Sequence, residues 1–168
     1  MEIRAVPRLY LAGPIHGCTD RECLDWRKRV FQLYPESIDP MRRDYRGIED
    51  ENVKDIVELD KRDILDCDVV LANCPIPSAG TSMEILYAHQ NHKPVVTVVP
   101  YLAKVSPWIS YHSTAVVDFI SLAFDYIDSI SCECHKCGNT YLGVPKPKCG
   151  CYNTSYKTYL GAKNEDNA

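Results

Sequence analysis

Ser78-Ala79-Gly80-Thr81-Ser82-Met83-Glu84 decides how the rest of this chain is read. It follows Asp68-Val69-Val70-Leu71-Ala72, an apolar run that reads as a buried strand. It precedes Ile85-Leu86-Tyr87-Ala88-His89, which reads as the first turns of a helix. A glycine-containing turn from strand to helix leaves backbone N–H groups free where an anion can sit. In a parallel sheet such a turn lies at the carboxyl edge, where ligands bind. Glu84, one turn inside, is open to two readings: a nucleophilic carboxylate facing a site, or an acidic residue that only complements the helix dipole.

The same strand–helix alternation extends outward from this segment. Arg8-Leu9-Tyr10-Leu11-Ala12 reads as a short strand, broken by Gly13-Pro14. A helix capped by Asp20 is expected next, with Cys23, Leu24, Val30, Phe31 and Leu33 roughly at helical spacing and Pro35 as its stop. Ser37-Ile38-Asp39-Pro40 reads as a brief extended piece, followed by a polar, arginine-rich loop to Gly47. A second helix is predicted from Ile48 to Leu65, then the strand at 68–73, then a third helix to about His92. Lys93-Pro94-Val95-Val96-Thr97-Val98-Val99 is nearly all apolar, the pattern of a strand buried on both faces. Residues 101–115 read as a long loop, Val116 to Ile120 as a last strand and Leu122 to Ile130 as a last helix. The whole predicts an α/β fold, a Rossmann-like (flavodoxin-like) parallel sheet of about five strands with helices on both faces. Residues 1–130 form the expected core domain, 131–160 a small cysteine-rich module, and 161–168 a polar tail expected to be disordered.

The chain has 168 residues, 45% of them hydrophobic, and a net charge of −4, so nothing in it points to a grip on nucleic acid. No apolar run reaches membrane-spanning length, and Met1-Glu2-Ile3-Arg4 lacks a signal peptide's apolar region, so the cytoplasm is the expected compartment. Nine cysteines, an odd count, argue against a secreted disulfide scaffold. Five of them crowd into residues 132–151. Cys134-His135-Lys136-Cys137-Gly138 is a CxxC knuckle, and Lys148-Cys149-Gly150-Cys151 supplies a second, CxC pair. Four thiolates suit tetrahedral Zn²⁺, so a structural zinc ribbon through Cys134, Cys137, Cys149 and Cys151 is expected, with Cys132 as a further candidate ligand. Reduced or adventitiously paired thiols are the alternative. Such a set leaves no open metal position, so no cofactor is expected for catalysis.

Three pieces stand in order along the chain: Tyr10-Leu11-Ala12-Gly13-Pro14-Ile15-His16-Gly17, then Asp60 with Asp68, then the Ser78–Glu84 turn. Together they resemble the nucleoside 2-deoxyribosyltransferase superfamily, which also holds the 2′-deoxynucleoside 5′-phosphate N-hydrolases and the CMP N-glycosidases. The resemblance runs from about residue 8 to residue 129 and is closer to the two hydrolytic groups. It implies that Glu84 is the nucleophile that attacks C1′ of the sugar, that Asp60 handles the proton of the departing base, and that Tyr10 orients the nucleophile. Helix-surface charge for Asp60 and core aromatic for Tyr10 remain the plain alternatives. It implies further that Gly13, Ile15, His16 and Gly17 form a loop binding phosphate and base, His16 standing where the mammalian hydrolase has an arginine. Ser78 would bind the 5′-phosphate in the turn that carries Gly80, and Ser106 would bring a second serine from a neighbouring subunit. Asp63, Asp66 and Asp68 read as structural charges. The implied function is hydrolysis of a nucleoside 5′-monophosphate, expected in its 2′-deoxy form, to free base and (deoxy)ribose 5-phosphate through a glutamyl glycosyl-enzyme. A base-exchanging deoxyribosyltransferase and a non-catalytic nucleotide sensor or adaptor are the alternatives. A homodimer or higher homo-oligomer is expected, with no membrane or nucleic-acid partner.

Overall fold

Leu9, Tyr10, Leu11 and Ala12 are all fully buried, as expected of a strand in a sheet covered on both faces. The computed structural model describes residues 2–4, 6–134, 136–137, 139–142 and 154–158. In chain order the elements are β1 (Glu2–Arg4), β2 (Leu9–Ala12), α1 (Asp20–Leu33), two 3₁₀ turns (Pro40–Arg43 and Glu49–Glu51), α2 (Val53–Asp66), β3 (Val69–Asn73) and α3 (Ala79–Gln90). Then follow β4 (Val95–Val98), α4 (Pro107–His112), β5 (Ala115–Val117), α5 (Ile120–Ser129), β6 (Ile130–Cys134), β7 (Thr140–Leu142) and β8 (Thr154–Thr158).

The core sheet has the order β2-β3-β4-β5 and is parallel throughout, with Tyr10 opposite Val70, Leu71 opposite Val96 and Thr97 opposite Val116. It has four strands, not five. The extended piece at 37–40 contributes a single parallel bridge, Ile38 beside Tyr10, held by Ile38 N–H to Leu9 C=O and Leu11 N–H to Ile38 C=O. It goes no further because Pro40 has no N–H to offer, and the Asp39 carboxylate instead accepts from Met41 N at 2.8 Å to start the 3₁₀ turn. With Ile38 counted as the outer position, the order is flavodoxin-like, and its switch point falls between β2 and β3.

Period-2 alternation sorts the strand residues into two cores. Leu9, Leu11, Val69, Leu71, Val96 and Val98 pack against Val30 of α1 and Ala123 and Ile127 of α5. Tyr10, Ala12, Val70, Ala72 and Val95 pack against Ile64 of α2 and Ile85 and Ala88 of α3. Full burial of such a side chain contributes about 1.5–3 kcal/mol, so a truncation such as Leu71→Ala costs about 2–5 kcal/mol.

Several helix ends differ from the sequence reading. The cap of α1 is Thr19, not Asp20: its hydroxyl accepts from Glu22 N while the Glu22 carboxylate takes Thr19 N, a capping box. The second helix begins at Val53 after a separate 3₁₀ turn. The long loop at 101–115 contains a short helix, α4, with Ser106 as cap and Pro107 at its first position. The last strand and helix lie slightly earlier than read, at Ala115–Val117 and Ile120–Ser129.

The remaining strands form a second sheet, β1-β7-β6-β8, in which β6 is antiparallel to β7 and β8 and the N-terminal β1 runs parallel to β7. Cys149 and Cys151 lie outside the described residues, as does the 161–168 tail. Among the described residues no helix is long and apolar enough to cross a membrane.

Candidate active site

Tyr10 lies on the sheet face covered by α2 and α3, so its phenol can reach groups on both helices. Its hydroxyl donates to Glu84 Oε1 at 2.6 Å. Glu84 sits in the second turn of α3, where the Ser78 hydroxyl caps the helix by accepting from Thr81 N at 3.3 Å. Asp60 comes from the middle of α2 and accepts from Arg43 Nη2 at 3.0 Å. Asp60, Ser78 and Glu84 line a cleft of about 210 Å³ at the carboxyl edge, beside the switch point, with the buried Tyr10 reaching it through its bond to Glu84. Gly13, Ile15 and His16 line one wall, Ser78, Gly80 and Thr81 another, and Pro40, Met41 and Arg43 to Arg46 with Glu49 and Ile56 close the rest.

The first loop is shaped by a buried cation. Arg27 is 1% exposed and its guanidinium donates to the carbonyls of Cys23, Leu11 and Gly13, closing the carboxyl end of β2 around one charge. Its Nε lies 3.1 Å from Asp39 Oδ1, an ion pair whose N–H is not aligned for a hydrogen bond. Gly13 is required here: a Cβ would stand 2.9 Å from the Trp26 ring and 3.1 Å from the Asn73 carbonyl. Gly17 has φ +73, the left-handed region, where the loop turns toward α1.

Burial dominates the electrostatics. It pushes the Glu84 carboxyl up to about 7; the Asp60 charge adds to the rise, and the Tyr10 hydrogen bond and the Arg27 charge oppose it. Asp60 is also raised by burial, against the pull of Arg43. The Tyr10 hydroxyl is held well above its ordinary value by burial and then by the Glu84 charge, so it remains a donor. A carboxylate poised near neutrality, a second carboxyl and a fixed donor between them suit nucleophilic and proton-transfer chemistry at one carbon.

The structure thus brings Asp60, Glu84, Gly13, Ile15, His16, Ser78 and Gly80 to one cleft, with Tyr10 buried beside it and bonded to Glu84. Gly17 is one residue beyond the lining, in the same turn. His16 stands at the rim, its side chain 91% exposed and its Nδ1 3.2 Å from Glu49 Oε1. Ser106 does not join them: it caps α4 and lines an adjoining, mostly apolar groove with Trp108, Met83 and Ile76, which meets the cleft at Ser78. Asp63, read as a plain structural charge, is tied to Arg42 and Arg43 next to the site.

Sequence reasoning missed Arg27, Arg43, Arg46 and Thr81. Arg27 had a signal, since it stands between Cys23 and Val30 on the buried stripe of α1. The density of arginines at 42, 43 and 46 was another. Thr81 is 3% exposed and lines the cleft, and its hydroxyl finds no partner among the described residues. An orphaned buried hydroxyl is rare in a folded chain and leaves a hydrogen bond to be completed by water or a bound group.

In the small sheet, Cys134 is buried at the end of β6 and its N–H donates to the Asn139 carbonyl at 2.9 Å. No group of three metal-ligating side chains occurs among the described residues, and two of the expected ligands lie outside them.

Comparison with known proteins places this geometry in context. The family described as nucleoside 2-deoxyribosyltransferase matches residues 9–141. Comparison with curated protein sequences returned no match. Among solved structures, the 2-deoxyribosyltransferase of the psychrotolerant bacterium Bacillus psychrosaccharolyticus superposes with a TM-score of 0.59 at 17% identity, over 71% of this chain and 91% of that one. The CMP N-glycosidase BcmB of Clostridium botulinum superposes with a TM-score of 0.46 at 17% identity, over 66% of this chain and 86% of its own. At this level of identity the first likeness speaks to the fold alone.

Proposed function

The chain belongs to the nucleoside 2-deoxyribosyltransferase family, and from that premise we propose that it is an N-glycosidase acting on a nucleoside 5′-monophosphate, with the 2′-deoxy form preferred. The observation that carries this reading is the 2.6 Å hydrogen bond from Tyr10 to a half-buried Glu84 in a cleft that also holds Asp60. Ionised Glu84 attacks C1′ as the C1′–N bond breaks, and its electron pair goes to the base nitrogen, which takes a proton from Asp60. The sugar is left as an ester of Glu84. Water then attacks C1′, gives its proton to Asp60 and releases the sugar with the Glu84 carboxylate restored. The positive charge that develops on the sugar ring favours a carboxylate on the attacking face, and Tyr10 fixes which oxygen of Glu84 faces away.

The phosphate is best accommodated by the N-terminus of α3, where the Ser78 hydroxyl, the backbone N–H groups near Gly80 and the orphaned Thr81 hydroxyl converge. The Gly13–Gly17 loop lies on the adjacent wall, with His16 at its rim. Exposed Met83, Trp108 and Tyr111 on α3 and α4 support a homodimer in which Ser106 approaches a neighbour's cleft. A structural zinc at Cys134, Cys137, Cys149 and Cys151 completes the reading, with Cys132 in reserve. Metal analysis is then expected to give about one zinc per chain, lost on Cys137→Ser with the core still folded.

The direct test incubates the protein with ribo- and deoxynucleosides and their 5′-monophosphates and measures free base by chromatography. Base and sugar phosphate from the monophosphates alone is the expected result. Equal processing of free nucleosides, with product only when a second base is supplied, would instead establish a deoxyribosyltransferase. Binding without any cleavage would establish a nucleotide sensor.

A further inference from the structure

Asp60 and Asp63 lie one turn apart on α2 and converge on a single guanidinium nitrogen. Arg43 Nη2 donates to Asp60 Oδ1 at 3.0 Å and to Asp63 Oδ2 at 2.6 Å, while Arg42 Nη2 donates to the other Asp63 oxygen at 2.6 Å. Asp63 is 8% exposed, and a carboxylate so buried is tolerated only while its cations stay with it. Asp63 therefore anchors both arginines, and Arg43 keeps its place whether or not it also touches Asp60. Arg43 and Asp60 line the cleft; Asp63 stands behind them. One nitrogen is thus shared between a carboxylate that holds the 3₁₀ turn to α2 and a carboxylate that faces the reacting centre.

We infer that Arg43, anchored by Asp63, is a positioning residue that holds the Asp60 carboxyl in the cleft and governs when it gives its proton to the departing base. The inference rests on the N-glycosidase reading of this cleft. The groups that act on Asp60 are Arg43 from the 3₁₀ turn, Asp63 from its own helix and Tyr10 from β2, and the Asp60 charge is felt in turn by Glu84 on α3. Burial and Asp63 favour the protonated acid; Arg43 opposes them. Without the Arg43 charge, Asp60 binds its proton more tightly and is a weaker acid toward the base. It also loses the one side-chain hydrogen bond, among the described residues, that ties it to the turn across the cleft.

The test is a carboxyl carbon-13 NMR titration of aspartate-labelled protein, with the Asp60 signal assigned by Asp60→Asn, together with the pH dependence of kcat. Arg43→Gln keeps a donor but removes the charge, and is expected to move the Asp60 titration upward by about one pH unit or more. Arg43→Lys is expected to restore most of it. In Arg43→Gln, kcat is expected to fall with little change in KM, and the alkaline limb of the kcat profile to move in the direction of the titration. An Asp60 that titrates alike in wild type and Arg43→Gln overturns the inference. So does a variant whose KM rises while kcat stands, since Arg43 would then be a substrate contact. The titration needs no turnover, so failure of the glycosidase reading shows separately, as absence of free base.

Discussion

Ser78 and Ser106 perform the same local task with different consequences. Each caps a helix at the carboxyl side of the core sheet, and each hydroxyl accepts a backbone N–H at 3.3 Å, from Thr81 and from Trp108. Ser78 caps a helix of 12 residues that carries Glu84 and opens onto the cleft lined by Asp60 and Arg43. Ser106 caps a helix of 6 residues that opens onto an apolar groove beside Trp108 and Met83. A capping serine alone therefore does not make a site. What makes one is where the sheet places it: the turn after β3 abuts the switch point, and the segment after β4 lies one strand further out.

The sharpest way to break that contrast is to remove the acid from the α3 side. Glu84→Gln preserves shape and is expected to lower turnover by roughly three or more powers of ten while leaving nucleotide binding intact. Ser106→Ala in the same assay is expected to retain measurable turnover. Near-normal turnover of Glu84→Gln would erase the distinction between the two helices.

A second effect is on stability. The folded-state value of Glu84, about 7, lies above the ordinary 4.5, so the folded chain binds that proton more readily than the unfolded one. Its stabilising contribution is fully present below about pH 4.5 and is lost as pH rises through about 7. Glu84→Gln, which cannot ionise, is expected to be more stable than wild type by up to about 3 kcal/mol near pH 8, with the gain vanishing near pH 4. Denaturant unfolding at the two pH values checks this. A pH-independent difference would mean that Glu84 is not strained by its burial.

Removing the capping hydroxyls sharpens the comparison further. Ser78→Ala and Ser106→Ala are each expected to cost about 1 kcal/mol as lost caps. Ser78→Ala is also expected to raise KM for the monophosphate about tenfold, in line with losing one charge-assisted hydrogen bond, and to leave the free nucleoside unaffected. Ser106→Ala is expected to raise KM only in the assembled homodimer, an effect that disappears on dilution to monomer.

Thr81→Val gives the smallest change. It replaces a buried hydroxyl without a partner by a methyl of the same shape, so the unliganded protein is expected to be as stable or more stable, by up to about 1 kcal/mol. KM for the monophosphate is expected to rise a few-fold. A clear loss of stability in Thr81→Val would show that the hydroxyl is satisfied within the protein.

Much of this was legible in the chain because strong local signals agreed with the tertiary answer. The runs at 8–12, 68–73 and 93–99 are largely apolar on both faces, the pattern of parallel strands in a sheet covered by helices. Glu84 was visible because its turn has strand before it and helix after. The fifth strand was not settled by pattern, since Ser37 to Pro40 is extended in any case and only the proline's missing N–H reduces it to one bridge. Helix α4 escaped because six residues show no period, although Ser106-Pro107 is a cap followed by the favoured first residue. Arg43 and Asp63 escaped for a deeper reason: charges in a loop and on a helix read as solvated until the fold brings them together, and their function lies in that contact.

The central claim is that Glu84 forms a bond to the sugar. Mixing the enzyme with a deoxynucleoside 5′-monophosphate, quenching in acid within the first turnovers and mapping peptides by mass spectrometry reads it directly. The account expects a (deoxy)ribose phosphate ester on the peptide containing Glu84, formed at the rate of base release and absent in Glu84→Gln. Base release by the wild-type protein with no adduct on that peptide, and undiminished in Glu84→Gln, would contradict it.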